Sequence, residues 1–381
     1  MSLSLGIRAC PTTPAAPFLL DPGFNISAVA TIAKALPSHS WEFGTASEAL
    51  LELYNPDISV FGSKPFPVPV IPSNCHIPSL DYAASKIVFG TGANGLSDGT
   101  GAVGDPASLG VSAVLLGKSN ASFAAGAQEE LTYITTVAPR YANGAISQRA
   151  DVAELWADFM YMAPPFLAYI AADRNNATLL KEVYEQCGLY RAVLKPPAVQ
   201  NWQHIIGPQS ADLGLWSTGN AWAAAGMTRV LATIIKAPVA KNADWRSGAI
   251  ADLTTWIQEI VDGAMSQSTD NNLLRNYLND TTGDGHGYGE ISGTSMLAAV
   301  TYRMAVLSKA TFGAKYIAWA EGVRKTMASH ISSNGTAAPA VNPLNWGDTV
   351  PFTAGSPEGN NFVVLMYAAW RDCVKVGTCS K

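Results

Sequence analysis

Apolar residues recur at helical spacing along almost the entire chain. Ile250, Leu253, Ile257, Ile260 and Val261 are separated by 3, 4, 3 and 1 positions, which puts them on one buried stripe of a helix. Comparable stripes cover about 24–36, 45–54, 106–118, 121–138, 152–171, 175–191, 218–236, 291–309, 312–330 and 360–372. Each stripe needs a partner to cover it, so the pattern predicts a mainly α fold in which helix packs on helix. Eleven helices come close to the twelve of a barrel built from six helical hairpins. Ile58–Phe61 and Val68–Ile71 read as short strands at most, since Pro65, Pro67 and Pro69 interrupt the pairing of the second.

Between the helices lie connectors rich in glycine, proline and aromatic residues: Gly90–Gly104, Pro196–Gly214, Gly283–Gly289 and Pro339–Gly359. Connectors longer than about 12 residues are uncommon in compact domains and usually functional. Their recurrence predicts that one end of the helical assembly carries long loops and a site. No linker shows a sustained shift in composition, so residues 1–381 read as one domain, with 1–20 an extended N-terminal segment.

Of the 381 residues, 48% are hydrophobic and only 14% charged, enough to fill a large core. The net charge of −5, without clusters of Lys and Arg, excludes nucleic acid as a partner. No apolar run approaches the roughly 20 residues that cross a bilayer. The glycosylation sequon occurs five times, at Asn25, Asn120, Asn176, Asn279 and Asn334. The five cysteines, Cys10, Cys75, Cys187, Cys373 and Cys379, include no C-x-x-C pair, which argues against a zinc or redox site. Cys373 and Cys379 suit a short C-terminal loop, Cys10 an anchor for a terminus, and the odd count leaves at least one free thiol. Together these features predict a secreted glycoprotein, read here as a mature form lacking its signal segment. His39, His76 and His330 show no metal-ligand spacing, and neither a metal nor a cofactor is implied.

Several residues could carry chemistry. Asp158 lies in Glu154-Leu155-Trp156-Ala157-Asp158-Phe159-Met160-Tyr161-Met162; an apolar setting raises a carboxyl pKa, as a general acid requires. The alternative is a helix cap or a partner for a nearby Arg. Trp216-Ser217-Thr218-Gly219-Asn220-Ala221-Trp222 offers flat faces and polar groups that suit a sugar; the same residues also suit a helix start with two core tryptophans. The glycine-rich run Gly283-Asp284-Gly285-His286-Gly287-Tyr288-Gly289-Glu290 lets backbone approach a ligand, or is simply a flexible loop with an exposed His. His204 sits in a long connector, where a His either binds and switches charge or bonds loop backbone. Asp98 and Asp105 frame a glycine-rich turn before a helix, and capping accounts for one of them.

Taken together, these motifs resemble the unsaturated uronyl hydrolases of glycoside hydrolase families 88 and 105. Trp156 to Met162, with Pro165-Phe166-Leu167, resembles their W-x-D-x-x-Y/F-M segment. Trp216 to Trp222 is similar to their W-S-R-G-N-G-W. Leu273-Leu274-Arg275-Asn276-Tyr277-Leu278 followed by Glu290-Ile291-Ser292-Gly293-Thr294-Ser295-Met296 resembles L-R-N-Y-x-D and E-T-S-G-T-A-M, and Ser356-Pro357-Glu358-Gly359 stands where a closing S-x-G-Q-G is found. The resemblance implies an all-α (α/α)6 barrel, no cofactor, and an oligosaccharide or polysaccharide partner. It implies hydrolysis of a terminal unsaturated uronic acid by protonation of its C4=C5 double bond and addition of water at C5. Asp158 takes the role of proton donor and water activator, Asp105 or Asp98 that of a second sugar-binding Asp, and His204 that of the family His. Trp156, Trp216, Ser217, Thr218, Asn220, Trp222, His286, Tyr288 and Gln148 become substrate-binding candidates.

Two departures bear on the substrate. The Arg of W-S-R-G-N-G-W is Thr218 here, which removes a planar cation suited to a carboxylate. A family His ahead of W-x-D is Gln148, which cannot change charge. Arg149, Arg275 and Lys195 are the alternative cations. A lyase or a saturated uronosidase on the same barrel, with Tyr288 and His286 as lyase candidates, is a second reading, and a barrel that only binds glycan is a third.

Overall fold

The computed structural model describes residues 10, 17–72 and 74–381. The chain runs through α1 (Ile26–Ala35), α2 (Ser40–Tyr54), α3 (Pro78–Lys86), α4 (Gly110–Gly117), α5 (Ala121–Thr136), α6 (Phe159–Met162), α7 (Pro164–Asp173), α8 (Ala177–Leu194), α9 (Ser217–Lys236), α10 (Arg246–Met265), α11 (Ile291–Leu307), α12 (Ala314–Met327) and α13 (Pro357–Lys375). Two antiparallel strand pairs interrupt it: β1 (Leu155–Trp156) with β2 (Ile205–Ile206), and β3 (Thr269–Asp270) with β4 (Leu273–Leu274).

Burial alternates along the helices. Every residue of α9 from Ser217 to Ile234 is buried, whereas α10 buries one stripe containing Leu253, Ile257, Ile260 and Val261. A helix buried all round needs a second layer outside it. The helices α2, α4, α7, α9, α11 and α13 supply the inner ring, each touching the next and α13 returning to α2. The outer layer is α1, α3, α5, α8, α10 and α12, each packed on the ring. The described residues thus form an (α/α)6 barrel. Close packing is visible at Gly226 of α9, where a Cβ would lie 1.8 Å from the Met160 carbonyl oxygen of α6. Any larger residue there would push the short α6 off the ring.

A buried ionic network ties four parts of the ring. Glu52 of α2 accepts from Arg229 of α9 and, at 2.6 Å, from Arg303 of α11, while Glu48 accepts from Arg229 at 2.8 Å and Asp372 of α13 accepts from Arg303 at 2.7 Å. The Phe61 ring lies 5.3 and 4.5 Å from the two guanidinium groups. Disulfides join Cys10 to Cys75 and Cys373 to Cys379, and Cys187 is a buried free thiol. Among the described residues, no helix is long and apolar enough to cross a membrane.

Some elements differ from the sequence expectation. The stripe at 152–171 is not one helix: it holds β1, a turn, α6 and then α7. Pro164 and Pro165 lack the N–H groups that would continue α6, and they start α7 instead. Helix α3 went unrecognised because its nine residues bury only Ser79, Leu80, Tyr82 and Ala83, too few for a periodic signal. Neither Ile58–Phe61 nor Val68–Ile71 is a strand; Pro56–Ile58 forms a 3-10 turn. Apart from residues 10 and 17–20, the 1–20 segment lies outside the described residues.

Three of the sequon asparagines have a structural duty. Asn25, Asn120 and Asn176 accept hydrogen bonds from the backbone N–H of Ala28, Ser122 and Leu179 and so cap α1, α5 and α8.

Candidate active site

The N-terminal ends of the inner helices share one end of the barrel. Five of the six connectors that enter those ends are long, at 87–109, 137–158, 195–216, 266–290 and 328–356. All of these but 266–290 help to wall a cavity of about 280 Å³. Its lining includes His39 and Trp41 at α2, Asp105 ahead of α4, Asp158 and Met162 around the short α6 that precedes α7, Trp216 and Trp222 at α9, and Glu358 at α13. Gln148, Arg149, Trp156 and Trp346 from the long loops complete it. Five tryptophans and three carboxyl groups therefore face one space.

Asp158 is held by a chain of hydrogen bonds. His204 Nε2 lies 3.1 Å from Asp158 Oδ2, and His204 Nδ1 lies 2.9 Å from Asp212 Oδ2. Tyr277 donates its hydroxyl proton to the same Asp212 oxygen at 2.7 Å. The imidazole is fully buried, boxed by the rings of Trp156, Trp216 and Trp346 at 5.9, 4.4 and 5.1 Å. Burial alone lowers the His204 pKa, but the charges and hydrogen bonds of Asp158 and Asp212 outweigh it and raise the pKa above the usual 6.5. For Asp212, burial pushes the pKa up, and the bonds from His204 and Tyr277 more than reverse this.

Asp105 is pushed up to about 7, chiefly by burial and further by the charge of Asp158, against the bond from Gln148 Nε2 at 2.8 Å and the positive charge of Arg149. Glu358 is pushed up to about 8 by burial and by the charge of Glu42, although Trp41 Nε1 donates to it at 2.8 Å. Near neutral pH Asp105 and Glu358 thus hold protons that ordinary carboxyl groups have lost.

The remaining candidates separate clearly. Trp156, Trp216, Trp222 and Gln148 line the cavity together with Asp105 and Asp158. Asp98 does not; it is exposed and accepts from Thr100 N at 2.9 Å to shape a turn. Ser217 and Thr218 do not line the cavity; both are buried and face Glu290 Oε1, at 2.8 and 3.4 Å. Asn220 does not line it either: it accepts from Trp202 N and donates to Trp202 O and Trp216 O, stapling the loop to α9. His286 and Tyr288 do not line the cavity, and His286 packs on Tyr277 and against Asp284. His204 contacts Asp158 but is not itself part of the lining. Among the described residues, Asp280, Asp284 and His286 form the one group with three metal-ligand atoms within 4.8 Å of one another, on that same loop.

Sequence reasoning missed Trp41, Trp346, Glu358, Asp212 and Glu154. The last is buried and accepts from Gln209 N, Ser210 N and Trp156 Nε1, at 2.9, 2.8 and 2.6 Å, which fixes the indole in the wall. Its place two residues before Trp156 was the only available signal.

The sequence profile of Glycosyl Hydrolase Family 88 matches residues 117–341, more than half of the chain. The chain belongs to this family. As a family 88 member it is a glycoside hydrolase, and the cavity with its paired aspartates falls where the inner helices begin. Its fold is shared with solved structures of low sequence identity. A family 105 glycoside hydrolase from C. acetobutylicum superposes with a TM-score of 0.68 at 14% identity, over 91% of this chain and 99% of that one. A polysaccharide lyase gives 0.65 at 14%, over 93% and 99%. The unsaturated glucuronyl hydrolase from Bacillus sp. GL1, responsible there for the degradation of glycosaminoglycan, gives 0.61 at 12%, over 90% and 94%. No curated protein sequence matches the chain.

Proposed function

We propose that this glycoside hydrolase removes a terminal unsaturated uronic acid from an oligosaccharide by hydrating its C4=C5 double bond. The observation that carries the reading is Asp158, facing an aromatic cavity beside a second carboxyl group and backed by His204 and Asp212. A proton is available in the Asp158–His204 pair. Asp158 gives it to C4, and positive charge develops at C5 and the ring oxygen. Water then bonds to C5 and returns a proton to Asp158. The hemiketal so formed opens, and the aglycone leaves as an alcohol. Asp105, protonated up to about pH 7, donates a hydrogen bond to a ring hydroxyl. The tryptophans offer faces for the sugar. The converging N-terminal ends of the inner helices favour an anionic substrate despite the carboxyl groups.

The test follows the ultraviolet absorbance of the conjugated double bond. It falls when the enzyme is mixed with unsaturated pectin or glucuronan fragments, and Asp158→Asn abolishes the change. Unaltered absorbance across the whole panel refutes the reaction. A rise with intact polymer indicates a lyase instead, a reading weakened by Tyr288 and His286 lying outside the cavity.

Secretion with N-glycosylation belongs to the same proposal. It is supported by two disulfides, which persist in oxidising compartments, and by the exposure of all five sequon asparagines. Mass spectrometry of the natively expressed protein before and after glycan removal checks it; an unchanged mass refutes glycosylation.

A further inference from the structure

We infer that Arg149 holds the carboxylate of the sugar and makes the enzyme selective for the free uronic acid over its methyl ester. The inference rests on the uronide reading above. Among the residues lining the cavity, Arg149 is the only Arg or Lys. Of the other cations that the sequence offers, Arg275 points to Gly287 O and Ser268 Oγ on the glycine-rich loop, and Lys195 follows α8 outside the lining.

The fold positions Arg149 closely. Its backbone bridges Ala102 in an antiparallel pair, with Val103 N donating to Gln148 O at 2.7 Å and Ala150 N to Gly101 O at 2.9 Å. This docks the guanidinium against the turn Gly99-Thr100-Gly101. Gly101 has φ +82°, and a Cβ there would lie 2.7 Å from Arg149 Nη2, so only glycine leaves the guanidinium its place. Thr100 is held at φ 51°, a left-handed conformation costly for a β-branched residue, and turns its carbonyl toward Nη1 at 3.4 Å.

The guanidinium is nonetheless short of acceptors. Nε is buried with no hydrogen-bond partner, and its nearest carboxylate, Asp151 Oδ1, is 3.6 Å away. Among the described residues Nη2 has no hydrogen bond, and the contact of Nη1 is long. An Arg fork with unused donors, fixed at the edge of a sugar-sized cavity, matches a planar carboxylate, which can accept two parallel bonds. Thr218, where the resembling families carry Arg, is buried against Glu290 and cannot supply that charge.

The test compares wild type, Arg149→Gln and Arg149→Lys on an unsaturated uronide and on its methyl ester, which keeps the double bond but carries no charge. For Arg149→Gln, KM for the free acid rises by about 10- to 100-fold with kcat little changed, as expected for a lost charge-assisted pair. KM for the ester stays within about twofold, and Arg149→Lys, which keeps the charge but not the fork, falls between. Equal effects on acid and ester, or none on either, overturn the assignment. Calorimetry with a saturated methyl glucuronoside reads the same contact without turnover: wild type binds and Arg149→Gln loses about 10-fold or more in affinity. Equal affinity also overturns it. A wild type that consumes no unsaturated uronide refutes the proposed reaction, and the calorimetric arm still decides Arg149. Thermal melts coinciding with wild type exclude misfolding of either variant.

Discussion

Asp212→Asn isolates the part of the site that controls a proton rather than the part that touches sugar. In the wild type His204 is flanked by two carboxylates, and their combined effect overcomes burial to keep it protonated beyond its usual pKa. The 2.9 Å bond to Asp212 is charge-assisted. Such bonds contribute about 1.5–3 kcal/mol, and about 1.4 kcal/mol is a tenfold change. Replacing the carboxylate by an amide, which still accepts a hydrogen bond but has no charge, lowers the His204 pKa. The sign follows from which form is stabilised. A raised His pKa means the proton is retained as pH rises, so its loss sets the alkaline limb of kcat/KM. In Asp212→Asn that limb moves to lower pH, and the rate above it falls by about 10- to 100-fold while the rate near pH 5 is largely kept. The assay is the double-bond absorbance followed across pH 4 to 9, with wild type and Asp158→Asn as references. A limb that stays in place while the rate drops equally at every pH refutes the proton relay and leaves Asp212 a purely structural role.

Asp105→Asn trades activity for stability. Its carboxyl is raised from 3.8 to about 7 on folding, so its contribution to stability is intact below about pH 4 and lost as pH rises toward 7. The variant's gain in Tm over wild type is therefore larger at pH 8 than at pH 4; a gain independent of pH contradicts the assignment. Glu52→Ala leaves Arg229 and Arg303 without their shared buried partner and costs about 3–5 kcal/mol in urea unfolding, and a loss below about 1 kcal/mol refutes the network's role. Thr218→Val, which removes one long hydrogen bond to Glu290, leaves KM for the uronide within about twofold. A large rise in KM would return Thr218 to the substrate-binding set.

The all-α class was legible because a one-sided apolar stripe, such as Leu253, Ile257 and Ile260 of α10, records which helix face meets another helix. Trp156 and Asp158 were legible because a motif of fixed spacing keeps its residues adjacent wherever the chain goes. Local patterning also had limits: it ran one helix through Pro164 and overlooked α3, whose buried face is too short to repeat. It could not choose between Asp98 and Asp105, since both flank the same glycine-rich turn and differ only in which side of the barrel wall they face.

The assembly of the cavity was decided by tertiary structure alone. Trp41 and Glu358 stand 317 positions apart, yet share a hydrogen bond, because α13 closes the ring against α2. Tertiary contacts with Glu290, ahead of α11, and with the Trp202 loop keep Ser217, Thr218 and Asn220 out of the cavity lining, although their polar side chains beside two tryptophans suited a sugar equally well. Pairing with the Gly101–Val103 segment places Arg149, alone of three cations equivalent in the sequence, in the cavity lining. Charge and hydrogen-bonding capacity are written residue by residue, whereas the partner that meets each group depends on which inner helices become neighbours when the barrel closes.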